Sequence, residues 1–191
     1  MVTTAPQTQN FTNHFLIAMP SLQGGIFANS ITYMCEHSSH GAMGIVVNHP
    51  MGLRVEEILD HLDIESHAAA CADQVMAGGP VQIDRGFVLH RGASRVWEAT
   101  ITVCTEVFLT TSTDILAAIA IGEGPPDTLV ALGYAGWGAG QLEEEMAANS
   151  WLSMPAESDI IFNTPIENRV TAAVAILGID LNLLSMEAGH A

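Results

Sequence analysis

Three stretches of the chain carry side chains able to do chemistry. In the first, Cys35, Glu36, His37 and His40 bring a thiol, a carboxylate and two imidazoles together. On a β-strand over 30–37 alternate side chains share a face, so Cys35 and His37 would lie side by side, with His40 folding back from the turn beyond. Such a group could bind a metal ion or pair a thiolate with an imidazole. A closed zinc site takes four ligands, however, and neither C-x-x-C nor H-E-x-x-H accompanies these residues. The sequence therefore predicts no metal site, with His37 a hydrogen-bonded strand residue and Cys35 a buried thiol.

The second stretch, GYAGWGAG over 133–140, runs directly into QLEEEM. Gly136 and Gly138 begin the G-x-G-x-x-G dinucleotide pattern, but Gln141 stands where its last glycine belongs. Gly133 and Gly138 have the P-loop separation, yet Ala139-Gly140 replaces the required Lys-Ser/Thr pair. Glu143, Glu144 and Glu145 would favour a helix start but oppose a phosphate docked there. The glycines are thus expected to permit unusual backbone angles and close approach, with Tyr134 and Trp137 packed beside them.

The third group is acidic: Glu56, Glu57, Asp60, Asp63 and the 143–145 run, with His61 and His67 nearby. These read as solvated helix faces. No G-x-S-x-G elbow occurs, and the absence of lysine removes P-loop, Schiff-base and lysine-base chemistry.

Charge sets a wider bound. Twenty-one acids stand against five arginines (Arg54, Arg85, Arg91, Arg95 and Arg169), a formal net charge of −16. Nucleic-acid affinity rests largely on cations that neutralise phosphates, so direct nucleic-acid binding is disfavoured. The isolated thiols Cys35, Cys71 and Cys104 suit a reducing compartment. No stretch reads as a signal peptide or membrane helix, and the expected address is cytoplasmic.

The elements that must position these residues follow from periodicity. Strands are expected over 14–19, 30–37 and 41–48, the last ending at Asn48-His49-Pro50. Val55, Ile58, Leu59 and Leu62 share one helical face, and 65–74 reads as a loop or short helix. Further β character appears in 74–79, 86–91, 99–111 and 127–134, with turns at Gly79-Pro80 and Gly92. A helix over 112–121 begins with a Thr111–Asp114 capping box and stops at Gly122 and Gly124. Another is expected over 141–152. The last starts with Thr164, Pro165 and Glu167, buries Ile166, Val170, Val174 and Leu177, and ends at Gly178. The pattern predicts a mixed sheet in one α/β or α+β domain.

With these residues in view, the chain resembles the YqgE/AlgH family of bacterial proteins. The segments that carry the likeness are HFLIAMPSL (14–22), YMCEHSSHGAMGIVVNHP (33–50), GGPVQIDRGFVLH (78–90), LTTSTDIL (109–116), LVALGYAGWGAGQLEEE (129–145), NSWL (149–152) and AGHA (188–191). It departs at Val170, where relatives usually place tryptophan, and at Gly138 and Ala139, which replace a polar or charged pair seen in some relatives. The resemblance implies a single compact α+β domain over 14–191, with a bifurcated mixed sheet that includes a small barrel and is surrounded by helices. Residues 1–13 are expected to be a flexible segment. It implies no cofactor and no established activity. Members are often labelled transcriptional regulators because one is linked to control of alginate production, but no helix-turn-helix signature is evident in this chain.

Residues and resemblance together lead us to expect a cytoplasmic, non-enzymatic regulatory or interaction protein acting on a protein or small-molecule partner. The alternative is an uncharacterised enzyme or small-molecule binder with a pocket near the first strands and the GYAGW segment. Glu36, His37, Asn48, Trp137 and Gln141 are its candidate lining residues, since such polar and aromatic groups can orient a ligand.

Overall fold

In the computed structural model, which describes residues 10–22, 25–92 and 97–179, the organising element is an eleven-residue strand, β9 (Thr128–Gly138). Before it come β1 (His14–Ala18), β2 (Ile31–Ser38), β3 (Gly41–Val46), β4 (Pro50–Arg54), α1 (Val55–His61), β5 (Gln74–Ala77), β6 (Val81–His90), β7 (Thr100–Thr102), β8 (Phe108–Thr110) and α2 (Asp114–Ala120). After it come α3 (Gln141–Ala147), β10 (Trp151–Pro155), α4 (Ser158–Phe162) and α5 (Arg169–Ile176). The main path of the sheet is β10-β1-β2-β3-β9-β6-β8-β7, with β5 bridging β4 and β9. Every pairing is antiparallel except β5 with β9.

The sheet divides at β9. One edge of β9 is taken by β6. On the other edge, residues 131–132 pair with β5 and residues 135–138 pair with β3. Gly133 stands at the fork with φ +72°. Its left-handed backbone changes the alternation of the strand. Ala131 and Tyr134, three residues apart, both pack on the central core, whereas Ala135 and Trp137 enter a separate cluster. Side chains have no room at this junction. A Cβ on Gly78 would lie 2.3 Å from the Gly133 carbonyl oxygen, and one on Gly133 would lie 2.5 Å from that of Gly79.

Three apolar clusters clothe the curled sheet. The central one joins Phe15, Tyr33, Ile45, Phe87 and Leu109 to Ile160, Ile161, Ala173 and Val174 of α4 and α5. On the opposite face, Val75, Val88 and Val130 pack under Val55 and Leu59 of α1 and Ile115 and Ile119 of α2. The third gathers Phe11, Leu16, Met34, Trp137, Leu142 and Trp151. Together they make a single α+β domain with a half-barrel sheet and, among the described residues, five α-helices, in keeping with the expected class.

Several expected boundaries move. The strand read over 127–134 continues through Gly138, so most of the glycine-rich run is strand and the turn is confined to Ala139-Gly140. The helix expected over 141–152 ends at Ala147, and NSWL opens β10, whose Trp151 packs in the third cluster. The strand expected over 41–48 ends at Val46, and Pro50, read as a stop, begins a strand. Segment 99–111 forms two short strands, β7 and β8. Thr111 does not cap α2; the Asp114 carboxylate instead accepts the Ile115 N–H and the Ser112 hydroxyl. The last helix starts at Arg169 after a 3₁₀ turn over Ile166–Asn168, because the Thr164 hydroxyl donates to the Asp159 carbonyl rather than capping it. Helix α4, unread in the sequence, precedes that turn.

Of the flexible segment expected over 1–13, residues 1–9 lie outside the described residues, as do Arg95, Gly24 and the AGHA motif. Within its last four positions, Phe11 is buried and Asn13 accepts the Tyr33 hydroxyl at 2.9 Å.

The fork yields a stability prediction. Gly133→Ala must hold a left-handed backbone and also displace the Gly79 carbonyl. We expect a loss of about 2–5 kcal/mol, combining the conformational and overpacking costs. Gly140→Ala, at φ +78° with nothing within 4 Å of its Cβ, meets the conformational cost alone. We expect about 1–2 kcal/mol for it. Denaturant midpoints at unchanged slope would show the difference.

Candidate functional site

A groove of about 780 Å³ opens on the concave face where β2 and β3 meet β9, β6 and β8. Phe87, Leu109, Tyr134 and Gly136 make its floor, and the Phe87 and Tyr134 rings meet edge to face at 5.6 Å. Glu36, His40 and Met43 come from the β2–β3 side; Arg85, Thr100 and Ile101 come from the other. The size falls within the usual range for small-molecule sites, roughly 300–1,000 Å³.

An irregularity in β6 builds the second wall. Val81 pairs with Tyr134 and Gly86 with Leu132, so residues 82–85 face Gly133 alone and are thrown outward as an exposed excursion. Gln82 there adopts φ +49°, which costs a non-glycine residue about 1–3 kcal/mol. Its side-chain oxygen accepts Arg85 Nη1 at 3.2 Å, while Arg85 Nη2 donates to Thr111 Oγ1 at 3.2 Å. The guanidinium also stacks 5.5 Å from the Phe87 ring centroid. Among the described residues no carboxylate lies within ion-pair distance of Arg85. Arg91, by contrast, is held by Asp127 and Asp159, and Arg169 is buried against the carbonyls of Val47 and Thr164. Burial pushes the Arg169 guanidinium down to about 10.

From Thr100 on the groove wall a chain of hydroxyls runs into the interior. Thr100 and Thr110 hydroxyls lie 2.7 Å apart, and Thr110 reaches Nε2 of the buried His90 at 2.9 Å. Desolvation pushes His90 below its ordinary value, so the imidazole stays neutral at pH 7. No carboxylate hydrogen-bonds it among the described residues.

The candidate residues read from the sequence are not all brought together. Glu36 is exposed and lines the groove, and so does Trp137. His37 does not face it: its Nδ1 accepts the Phe11 N–H at 3.1 Å and its Nε2 meets Glu143 Oε1 at 3.1 Å. Asn48 joins two backbones, accepting the Ile31 N–H and donating to the Asn29 carbonyl, each at 2.9 Å. Gln141 accepts the Gly138 N–H and donates to Glu145, closing the turn into α3.

Cys35 and His37 were expected on one strand face, and that expectation fails for a clear reason. Met34 pairs with Gly44 and Glu36 with Met43, so Cys35 is an extra residue in a β-bulge. The bulge turns the strand over. Cys35 points into the central core while His37 packs on Phe11 in the third cluster, with ring centroids 5.3 Å apart. Burial pushes the Cys35 thiol well above the usual range, which withdraws it as a nucleophile. Among the described residues no grouping of three or more His, Cys, Asp or Glu side chains could hold a metal ion.

The sequence reading missed two residues. Arg85 and its excursion carried no signal beyond one of three arginines within 85–95, flanked by Asp84 and Glu98. Glu145, taken as part of a solvated helix face, accepts the indole N–H groups of Trp137 at 2.9 Å and Trp151 at 2.7 Å. Two tryptophans placed at either end of a short acidic helix were the available clue.

Comparison with known proteins follows the fold over the whole chain. A family model described as AlgH-like matches residues 15–182. The chain is similar to a UPF0301 protein of Thioalkalivibrio sulfidiphilus, 56% identical over 184 residues and covering 96% of this chain and 98% of that one. A UPF0301 protein of Saccharophagus degradans is 55% identical over 179 residues, covering 94% and 88%. Among solved structures, the solution structure of the AlgH protein from Pseudomonas aeruginosa aligns at TM-score 0.79 with 46% identity, covering 100% of each chain. A crystal structure of a protein from Corynebacterium diphtheriae shares the fold at TM-score 0.67 and 20% identity, over 91% and 88%.

Glu145 supplies a pH prediction. Burial alone would raise its carboxyl, but the hydrogen bonds from Trp151, Gln141 and Trp137 hold it below the ordinary 4.5. A depressed carboxyl stabilises the fold above its unfolded value and loses that contribution as pH falls through the folded value. Glu145→Gln should therefore lower stability by about 1–3 kcal/mol at pH 7, a figure discounted for partial exposure. The gap to the parent protein should narrow below pH 4.5, as urea melts followed by tryptophan fluorescence would record.

Proposed function

The chain belongs to the AlgH-like family, and we propose that it is a cytoplasmic, non-enzymatic binding protein that acts in regulation by holding a small-molecule or protein partner in the groove above β9. The observation that carries this reading is Arg85. In a chain with a net charge of −16, a guanidinium with no carboxylate within ion-pair distance among the described residues stands over an aromatic floor, fixed by neutral oxygens. A preorganised cation of this kind offers its remaining donors to a ligand at little reorganisation cost.

Three groups able to serve catalysis are committed elsewhere. His37 has both ring nitrogens engaged, Cys35 is buried as a thiol, and His90 lies beneath a layer of threonines. No helix among the described residues is long and apolar enough to cross a membrane. Regulation by direct DNA contact fits poorly, because so acidic a chain repels a polyanion at long range.

A thermal-shift screen of metabolites and peptides tests the reading, since a native-state binder raises the melting point. We expect at least one class to stabilise the protein, and Ile101→Trp, a change at an exposed position in the groove, to abolish that shift while leaving the unliganded melting point nearly unchanged. Ligands that stabilise both forms equally, or silence throughout, would overturn it. Duplex DNA should not bind at about 0.2 M salt, where only contacts stronger than the charge balance allows would survive.

A further inference from the structure

The groove's charge pattern narrows its occupant. Arg85 lies on the β6 wall, Glu98 stands just before β7, and Glu36 and His40 lie on the β2–β3 side, with Tyr134 in the floor. Among the described residues of this lining, one guanidinium stands with two carboxylates. That balance rejects a phosphate or nucleotide, which needs several cations or backbone donors to offset its charge. It suits a ligand bearing both signs, with the positive and negative ends apart.

The lateral spacing of the strands that carry the opposite charges follows from the sheet, with Glu36 on the row of Gly136 and Arg85 near the level of Gly133. The path from β2 to β6 runs β2-β3-β9-β6, three inter-strand steps. At about 4.8 Å per step this is about 14 Å, shortened by the curl of the sheet. An extended peptide advances about 3.3–3.6 Å per residue, so three or four residues span roughly that gap.

We propose that the groove captures short zwitterionic peptides, about three or four residues long, with the C-terminal carboxylate on Arg85 and the N-terminal ammonium on Glu36. The proposal rests on the groove being the binding site. Two of the five N–H donors of Arg85 are spent on Gln82 and Thr111, leaving three for a bidentate carboxylate. Thr100 and Thr111 place hydroxyls along the wall for peptide amides, and Phe87 and Tyr134 offer an apolar floor for side chains. Glu98, on the same side as Arg85, repels a second carboxylate and restricts the site to one.

Calorimetric titration of the full chain with tetra-alanine tests this, alongside the same peptide amidated at its C-terminus or acetylated at its N-terminus. In the parent protein each blocked peptide should bind about tenfold or more weakly than the free one, the worth of one lost charge-assisted pair. Arg85→Gln should weaken the free peptide to the level of the amidated one and erase the difference between them. Glu36→Gln should do the same for the acetylated peptide. Both residues are exposed, and circular dichroism checks that each variant is folded. Equal binding of free and blocked peptides, or no heat at millimolar concentration, overturns the proposal. If peptides fail while another class binds and is expelled by Ile101→Trp, the peptide inference falls and the groove remains the binding site. If nothing enters the groove, both fall.

Discussion

Backbone meets backbone without intervening side chains at Gly78, Gly79 and Gly133, and the division of the sheet depends on that contact. Because β9 turns over at Gly133, its two halves can take different partners on one edge, β5 below and β3 above. A regular strand would keep one partner and one alternation, giving a flat sheet with two faces. The fork instead brings Ala131 and Tyr134, three residues apart, into the same central core. It also faces Gly133 alone against residues 82–85, so the excursion that carries Arg85 is a product of the same junction.

Cations are scarce in this chain, and the described structure commits two of its arginines to holding elements together. Arg91 ties the end of β6 to α4 through Asp159 and the Phe162 ring, whose centroid lies 5.0 Å from the guanidinium. Arg169 anchors the start of α5 to the carbonyl of Val47 just beyond β3. Both act as staples between elements distant in sequence. Arg85 differs in kind. Its partners are a glutamine and a threonine, which orient the group without neutralising it.

Much of the fold was legible in the sequence, and the failures share a cause. Strands with strong alternation or β-branched runs were found near their true places, and the glycines of 133–140 were rightly given a role in close approach, as Gly133 shows. The reading stopped β9 at Tyr134 because glycine marks turns locally, whereas pairing with β3 keeps the run extended to Gly138. It extended the helix at 141 through Leu152 because nothing local forbids it; only the edge of β1, distant in sequence, recruits that segment as a strand. The candidate site fared less evenly. Glu36 and Trp137 line the groove, but the bulge at Cys35 is invisible to a period of two and carries His37 to the opposite face. Asn48 and Gln141 spend their amides on backbone groups, a use that residue type alone does not distinguish from binding.

The pairing of β1 with β10, which sets His14 beside Pro155 and Ala18 beside Trp151, has a bearing on how the chain is made. During synthesis the first strand emerges long before its outer neighbour exists, so one side of its ladder stays open until most of the protein has left the ribosome. Leu16 and Ile17, fully sheltered in the finished molecule, are then apolar bait on an unpaired edge. A nascent chain stalled before residue 151 would present that edge to whatever lay nearby, which makes the pace of translation, or a chaperone's attention, part of what this architecture requires.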